Sequence, residues 1–275
     1  MMSKLFENEL EDRIKYTLQN KDVEFEVIFK ENNLDILLKL IKRLQSLKYK
    51  LTETEELDIF VKDSSLRVTL NKDQIIKLCK TNTIDEDNII EIIDKQRIDK
   101  YRKGLINNDF DFKINLKREI DYKKKEHESK DKFFNHEIFK IEEKRYRQKK
   151  RYSFLSDDNN FKIDLSIVKQ ADGKDIINSG LVNKEEFYEI ELEYVGKLTY
   201  NKENMSIFKS HLKKNIGYIL QIIQDSFYII SQKEKEIVKE CYNSLLKKIV
   251  NNRKRDIIEN IKSLLKYIDE GMVSI

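Results

Sequence analysis

Strict alternation of apolar and polar residues predicts one short stretch of the chain as a β-strand. Residues 187–194 read Phe-Tyr-Glu-Ile-Glu-Leu-Glu-Tyr, and a two-residue period places every glutamate on one face and most apolar residues on the other. These glutamates are Glu189, Glu191 and Glu193. Residues 22–29 repeat the design, with Glu24 and Glu26 on one face. The two stretches therefore predict strands that each present a row of carboxylates.

A row of glutamates has a simple explanation in an edge strand, where solvated charges discourage pairing with other chains. Two such strands that face one another need another explanation, because carboxylates about 4 Å apart repel by roughly 4 kcal/mol at an effective dielectric of about 20. Such a cluster persists only with divalent cations or many basic partners. The repeated pattern therefore favours a charged site over a solvated edge.

Alternation also predicts several strands between these two. They span residues 56–61, 65–70, 109–120, 142–155 and 161–169. Residues 88–98 fit a strand, although a helix also fits. The polar faces are mainly basic and include Arg67, Thr69, Lys113, Asn115, Lys117, Glu119, Arg145, Arg147, Lys149, Arg151, Lys162, Asp164 and Ser166. Acids thus dominate the first and last strands, and bases dominate those between.

Helical periodicity predicts the elements around the strands. The expected helices span residues 3–20, 34–48, 72–80, 203–230, 232–251 and 253–268. We therefore expect a strand-rich catalytic domain over residues 1–200. A helical C-terminal segment is expected over residues 201–275, either packing on that domain or bridging to a partner.

The composition excludes some classes of protein. Charged residues make up 38% of the 275 residues but the net charge is only +4, which is not the composition of a protein that coats nucleic acid. The two cysteines lack paired spacing, and the first 20 residues are charged, without a secretory signal. The most apolar run, 216–230, is too short and polar to span a bilayer. We expect a soluble intracellular protein.

Around eight strands of this design can close into a barrel. If helices cover the outside, the apolar faces point outward beneath them and the charged faces point inward. The predicted fold is α+β, a closed antiparallel eight-stranded barrel whose tunnel has an acidic wall and a basic wall.

A tunnel with these two walls suits a polyphosphate. Arginine and lysine converge on phosphate oxygens, and carboxylate ligands suit Mg²⁺ or Mn²⁺ rather than a soft metal. Enzymes of phosphoryl transfer place a metal ion and basic side chains around a polyphosphate. No glycine-rich phosphate loop is present, which disfavours the P-loop and Rossmann folds.

With these residues identified, the chain resembles the triphosphate tunnel metalloenzymes, and among them the metal-dependent RNA triphosphatases of fungal, protozoal and DNA-virus capping systems. That family has Glu-x-Glu on its first strand and Glu-x-Glu-x-Glu on its last, and a strand with Arg-x-Lys-x-Arg precedes one with an acid and a hydroxyl two apart. The matching residues, over roughly residues 22–196, are Glu24, Glu26, Arg147, Lys149, Arg151, Asp164, Ser166, Glu189, Glu191 and Glu193. Arg67 and Lys117 resemble the remaining basic positions.

The resemblance implies a role for each residue. Glu24, Glu26 and Glu193 would hold Mg²⁺ or Mn²⁺, and Glu189 and Glu191 would support the metal or orient the attacking water. The phosphates would be held by Arg67, Lys117, Arg147, Lys149 and Arg151, the last three also offsetting charge during transfer. Asp164 would orient a basic side chain or a water, with Ser166 nearby. Lys113, Arg145 and Lys162 are equally well explained as spare charges at the rim.

The implied activity is removal of the γ-phosphate from triphosphate-ended RNA, the first step of mRNA capping. The implied partners are the RNA 5′ end and capping guanylyltransferase and methyltransferase domains, with no membrane, in host cytoplasm or virion if the protein is viral. Because the Lys-x-Asp-Gly signature is missing, we expect a stand-alone triphosphatase or the N-terminal module of a capping enzyme of a large DNA virus.

Two alternatives remain open. The same tunnel could hydrolyse tripolyphosphate, thiamine triphosphate or a free nucleoside triphosphate, or act as a class IV adenylate cyclase. In a different class, the protein could bind polyphosphate or RNA ends without catalysis, although binding a polyanion alone would not call for five carboxylates.

Overall fold

A computed structural model describes residues 4–30, 32–47, 49–86, 89–122 and 130–269, with side chains to residue 262. The strands are β1 (Val23–Phe29), β2 (Lys50–Val61), β3 (Leu66–Leu70), β4 (Glu91–Arg97), β5 (Leu105–Asn107), β6 (Phe112–Asp121), β7 (Lys144–Leu155), β8 (Phe161–Gly173) and β9 (Phe187–Tyr194). The α-helices are α1 (Lys4–Gln19), α2 (Leu34–Ser46), α3 (Lys72–Thr81), α4 (Asp131–Phe134), α5 (His136–Ile141), α6 (Lys202–Ile223) and α7 (Gln232–Asp269).

The strands form one closed antiparallel barrel. Around the barrel their order is β1, β9, β8, β7, β2, β3, β4 and β6, and β6 pairs back onto β1. The short β5 pairs with the beginning of β6 beside β4. The predicted closed eight-stranded barrel of an α+β fold is confirmed, with β5 as an extra strand.

The apolar faces of the strands point outward, under the helices. On β1, Phe25 and Val27 are fully buried, and Phe25 meets Phe208 of α6 at a ring centroid distance of 5.2 Å. Helices α1, α2 and α6 share this core with β1, β6, β8 and β9, while α3 and α5 cover a second core over β2, β3 and β7. The intervening polar residues of the strands therefore face the interior of the barrel.

Several predicted boundaries differ from the structure. Strand β2 begins at Lys50, six residues before the predicted strand, because Lys50 pairs with Leu155 and the whole of β2 follows β7. The ambiguous stretch at 88–98 is the strand β4, held between β3 and β6. Strand β8 continues to Gly173, beyond the predicted end at residue 169.

The sequence did not predict three short elements, β5, α4 and α5. Residues 123–129, most of the charged run at 121–132, lie outside the described residues. In the C-terminal segment, α6 ends at Ile223, earlier than expected, and α7 is continuous where two helices were predicted.

The chain divides into two compact units, Met1–Ile229 and Ile230–Ile275. Helix α6 belongs to the first unit, and Phe208 and Leu212 are part of its core. The division at residue 200 stays a prediction. Among the described residues, no helix has the length and apolar character needed to cross a bilayer.

Candidate active site

The register of the strands brings the predicted site residues together. Each lies on a barrel strand, on the face opposite the outward apolar residues. The set is Glu24, Glu26, Arg67, Lys117, Arg147, Lys149, Arg151, Asp164, Ser166, Glu189, Glu191 and Glu193. One tunnel therefore contains residues that are far apart in the sequence, from the first strand to the last.

Two buried carboxylates meet at the junction of β1 and β9. Burial is the main reason that the pKa of Glu191 rises to about 8, and the negative charges of Glu26 and Glu189 raise it further. At neutral pH Glu191 is therefore protonated and donates a hydrogen bond to Glu26. Burial alone would raise the pKa of Glu26, but Lys117, Lys95 and this hydrogen bond hold it below its ordinary value. The pair shares one proton, as expected for close carboxylates.

Each of the three expected metal ligands has a lysine partner. The Lys117 Nζ lies 3.2 Å from Glu26, and the Lys162 Nζ lies 2.8 Å from Glu193. Lys95 of β4 lies 3.3 Å from Glu24 and also pairs with Glu119. Burial raises the pKa of Glu24 against the effect of Lys95. Among the described residues, no three acidic, histidine or cysteine side chains are grouped closely enough to form a metal site.

The donor set nevertheless fits a hard divalent cation. The carboxylates of Glu24, Glu26, Glu191 and Glu193 supply only oxygen, which Mg²⁺ and Mn²⁺ prefer. If Glu26 and Glu191 were both charged, the four carboxylates would carry four negative charges against the three lysines Lys95, Lys117 and Lys162. A divalent cation would replace the shared proton and stabilise both carboxylates in their charged form.

The basic wall consists mainly of β7. The Arg147 guanidinium contacts Glu189 at 2.6 Å, and Arg151 lies 3.9 Å from Asp164. Asp164 also contacts Lys162 at 3.2 Å. Asp164 therefore lies between two cations, the position expected of a residue that orients a basic side chain.

A buried network at the centre of this wall was not predicted. The Lys149 Nζ lies 2.6 Å from Asp58 of β2, and Asp58 also accepts a 2.8 Å hydrogen bond from Thr69 and lies 4.0 Å from Arg67. Burial alone would raise the pKa of Asp58, but the charges of Lys149 and Arg67 outweigh burial and lower it. Asp58 holds two predicted phosphate-binding side chains in place. Alternation with Glu56 places Asp58 on a polar face, but nothing in the sequence shows that β2 pairs with β7.

Four buried donors on β3, β7 and β8 have no hydrogen-bond acceptor among the residues that the structure describes. They are the Nε atoms of Arg67, Arg147 and Arg151 and the hydroxyl of Ser166. A buried donor without an acceptor is destabilising by about 1–3 kcal/mol. Phosphate oxygens are the natural acceptors for converging guanidinium and hydroxyl groups. The tunnel can therefore hold a phosphate chain between this wall and the carboxylates of β1 and β9.

Other charged residues of the tunnel were also missed or left undecided. Lys95 was not predicted, although it lies two residues from Arg97 on a strand whose type the sequence left open. Lys162, described above as a possible rim charge, makes two ion pairs with site carboxylates. Arg145 pairs with Asp172, and both side chains are more than half exposed.

No protein-family model matches the sequence, and no curated protein matches it. Among solved structures, the triclinic form of the mimivirus capping enzyme triphosphatase matches with a TM-score of 0.61 and 24% identity, covering 80% of this chain and 99% of that chain. The RNA triphosphatase domain of a trifunctional mimivirus mRNA capping enzyme matches with a TM-score of 0.59 and 24% identity over 79% of this chain and 97% of that one. The shared feature is the fold.

The S. pombe Pct1 RNA triphosphatase also matches, with 14% identity and a TM-score of 0.46 over 82% of this chain and 91% of that one. A similarity of this size carries no further conclusion. The fold of the chain is that of the mimivirus capping enzyme triphosphatase.

Proposed function

We propose that the protein is a metal-dependent RNA 5′-triphosphatase, which hydrolyses the γ-phosphate of triphosphate-ended RNA as the first step of mRNA cap formation. The observation that supports this most directly is the set of buried donors without acceptors, from Arg67, Arg147, Arg151 and Ser166, opposite the proton-sharing carboxylates Glu26 and Glu191. The fold shared with a viral capping triphosphatase agrees with this activity.

In this proposal Arg67, Lys117, Arg147, Lys149 and Arg151 bind the phosphates. They also neutralise the charge that spreads over the equatorial oxygens during transfer. Ser166 donates a hydrogen bond to a phosphate oxygen, and Asp164 holds Arg151 and Lys162 in position. Asp58 holds Lys149 and Arg67 in the same way.

Glu24, Glu26 and Glu193 would hold a Mg²⁺ or Mn²⁺ ion. When bound, the ion would neutralise charge on the phosphates and lower the pKa of water. An ion bound there would favour the charged form of Glu191, and Glu191 and Glu189 would orient the attacking water and accept its proton.

Capping guanylyltransferase and methyltransferase activities are the proposed functional partners. In mimivirus the triphosphatase is a domain of a trifunctional capping enzyme. A viral origin, and action in host cytoplasm or virion, belong to the same proposal. Tripolyphosphate or free nucleoside triphosphates remain the competing substrates, because in this proposal the two walls bind the phosphates that all these molecules share. Binding of RNA ends without catalysis remains the competing class.

The test is phosphate release from RNA labelled at its γ-phosphate, with Mg²⁺, Mn²⁺ or EDTA. We expect release that requires metal and falls by at least about 100-fold in Glu26→Gln and Glu193→Gln, since each removes a charged ligand. Glu53→Gln is the matched control, because Glu53 lies on β2 with an exposed side chain.

Three outcomes would contradict parts of the proposal. Release from tripolyphosphate but not from RNA would identify the competing substrate. Metal-independent binding of RNA ends without release would support the binding class. Full activity of Glu26→Gln, with the variant folded, would exclude the proposed metal site.

A further inference from the structure

The tunnel has two ends of opposite charge. Because neighbouring strands are antiparallel, the start of β1 and the end of β9 lie at one end, and the end of β1 and the start of β9 lie at the other. We name them the acidic mouth and the basic mouth. The inner face of the acidic mouth carries Glu24, Glu91, Glu119 and Glu193. The inner face of the basic mouth carries Arg97, Lys113, Arg145 and Arg147, together with Asp172 and Glu189 as the partners of Arg145 and Arg147.

The acidic mouth opens into a wide cavity. Glu24, Glu119 and Glu193 line one cavity of about 890 Å³ together with residues 17–23 and 194–200. Lys95 and Lys162 partly neutralise these carboxylates. A phosphate chain that approached from this side would meet carboxylates before it met the arginines of β7.

The basic mouth gives an anion a more favourable path. The Arg145 side chain is 54% exposed at its rim, and Arg147 lies one inner position deeper, followed by Lys149 and Arg151. Glu189 is paired with Arg147. A line of cations thus leads from solvent to the centre of the tunnel, and such a path concentrates anions and raises their association rate.

An aromatic ring stands at the same mouth. Phe187 begins β9 and pairs with Val168, so its side chain lies on the inner face with Glu189 and Glu191. Its side chain is 38% exposed, and the Arg147 guanidinium lies 5.9 Å from its ring centroid. Ile106 of β5, opposite Lys113, adds an exposed apolar side chain. Apolar and cationic groups side by side match a nucleoside attached to phosphates.

We infer that triphosphate-ended RNA enters through the basic mouth, with the base of its first nucleotide stacked on Phe187 and its following phosphates beside Arg145. This inference rests on the proposed function and specifies how the substrate is oriented. The γ-phosphate then points toward Glu26 and Glu193, and the RNA chain extends away from the acidic mouth. Stacking of a base on an aromatic ring tolerates any base, so the first nucleotide is not selected by sequence.

Matched variants at the two mouths test the orientation. Phe187→Ala and Arg145→Glu change the basic mouth, and Tyr200→Ala and Lys197→Glu make the same changes in the cavity of the acidic mouth. We expect the first pair to raise KM for triphosphate RNA on the order of tenfold, and the second pair to change it less than about twofold. Phe187→Tyr should keep KM near the wild-type value, since a tyrosine ring also stacks on a base.

The ratio of kcat/KM for RNA to kcat/KM for tripolyphosphate separates base contact from damage to the tunnel. Phe187→Ala lowers this ratio, because tripolyphosphate has no base. Loss of the Arg145–Asp172 pair is compatible with folding, because exposed pairs contribute at most about 1 kcal/mol. Equal effects at both mouths, or larger effects at the acidic mouth, would overturn the inference.

A second measurement does not depend on turnover. Triphosphate RNA with 4-thiouridine as its first nucleotide is irradiated with the protein, and the crosslinked residues are identified by mass spectrometry. Crosslinks at Phe187 or its neighbours at the basic mouth support the orientation even if no RNA is hydrolysed. Crosslinks at residues 194–200, or an even distribution over both mouths, exclude it.

Discussion

The Lys149 ammonium lies 2.6 Å from the Asp58 carboxylate, and both side chains are almost completely buried inside the barrel. Lys149 points into the tunnel from β7, where burial lowers its pKa and the flanking Arg147 and Arg151 lower it further. Asp58 counteracts that repulsion. The pair therefore allows three cations to stand in succession on one strand.

Asp58→Asn should be strongly destabilising. Removing the charge of one partner of a buried ion pair leaves the other charge uncompensated, and the free energy of unfolding falls by about 3–5 kcal/mol. Phosphate release should fall too, because Lys149 and Arg67 lose the group that positions them. Urea unfolding and phosphate release measure the two effects.

The double variant Asp58→Leu, Lys149→Met separates stability from function. Two apolar residues of similar volume leave no buried charge, so most of the stability should return while activity stays low. A double variant that remains as unstable as Asp58→Asn would contradict this account of the pair.

Ser166→Ala should lower activity without lowering stability. The Ser166 hydroxyl is buried and has no acceptor in the described part of the chain, so its removal should raise the free energy of unfolding by up to about 1 kcal/mol. If the hydroxyl binds a phosphate, phosphate release should fall by roughly tenfold. Ser153→Ala, one pair nearer the acidic mouth on β7, is the control. Lower stability with unchanged activity would show that the hydroxyl is structural.

The placement of the candidate site residues inside the barrel was largely predictable, because every inner residue comes from a strand with a two-residue period. Alternation alone assigns Glu191 and Arg147 to polar faces, and closure of the barrel turns those faces inward. What the sequence could not give is which residues meet across the tunnel. Glu26 and Lys117 are partners because of the register of β1 on β6. Asp58 was missed for the same reason, since nothing local shows that it contacts Lys149.

Lys144 should make stability depend on pH in the alkaline range. Burial lowers the pKa of this side chain to about 8, compared with about 10.4 in an unfolded chain. The unfolded state thus binds more protons between these values, so the contribution of Lys144 to stability rises as pH increases from 8 to 10.5. Below pH 8 the charged form is destabilising by at most about 3 kcal/mol.

Comparison of the wild type with Lys144→Met isolates this effect. The free energy of unfolding is measured at pH 7.5, 9 and 10. It should rise more with pH in the wild type than in Lys144→Met, so that the difference between the two proteins changes steadily with pH. The Lys144 ammonium donates to the carbonyls of Phe139 and Glu142, and methionine leaves these carbonyls without that donor at every pH. A difference that stays constant with pH would show that Lys144 keeps an ordinary pKa.

Two truncations test where the barrel domain ends. A chain ending at residue 229 keeps α6, and we expect it to fold and to release phosphate from RNA. A chain ending at residue 200 removes Phe208, whose ring lies 5.3 Å from Phe161 and 4.5 Å from Tyr194, and we expect it to unfold or aggregate. Loss of a buried phenylalanine alone is destabilising by about 3–5 kcal/mol. A folded, active 1–200 chain would support the boundary predicted from the sequence.

Helical periodicity was a weaker guide than alternation. It predicted that residues 203–230 are helical, but the helix ends at Ile223, followed by Asp225 with a positive φ of 50°. Asp225 adopts a conformation that few non-glycine residues favour, and the sequence around it contains no glycine or proline to indicate a turn. The short helices α4 and α5 carry too few residues for a period to be recognised.

Closure of the barrel also constrains how the protein matures. The first strand, β1, has its partners in β6 and in β9, the last strand of the barrel. During synthesis Glu26 therefore emerges long before Glu191 and Glu193. Until those later strands are made, the apolar side chains of Phe25 and Val27 remain without their complete core. Such non-local pairing makes folding slow, and the exposed strands are prone to aggregation in the meantime. The carboxylates at the centre of the tunnel come together only when the last strand is in place, so a chain that ends before β9 lacks Glu189, Glu191 and Glu193 and has an incomplete acidic wall.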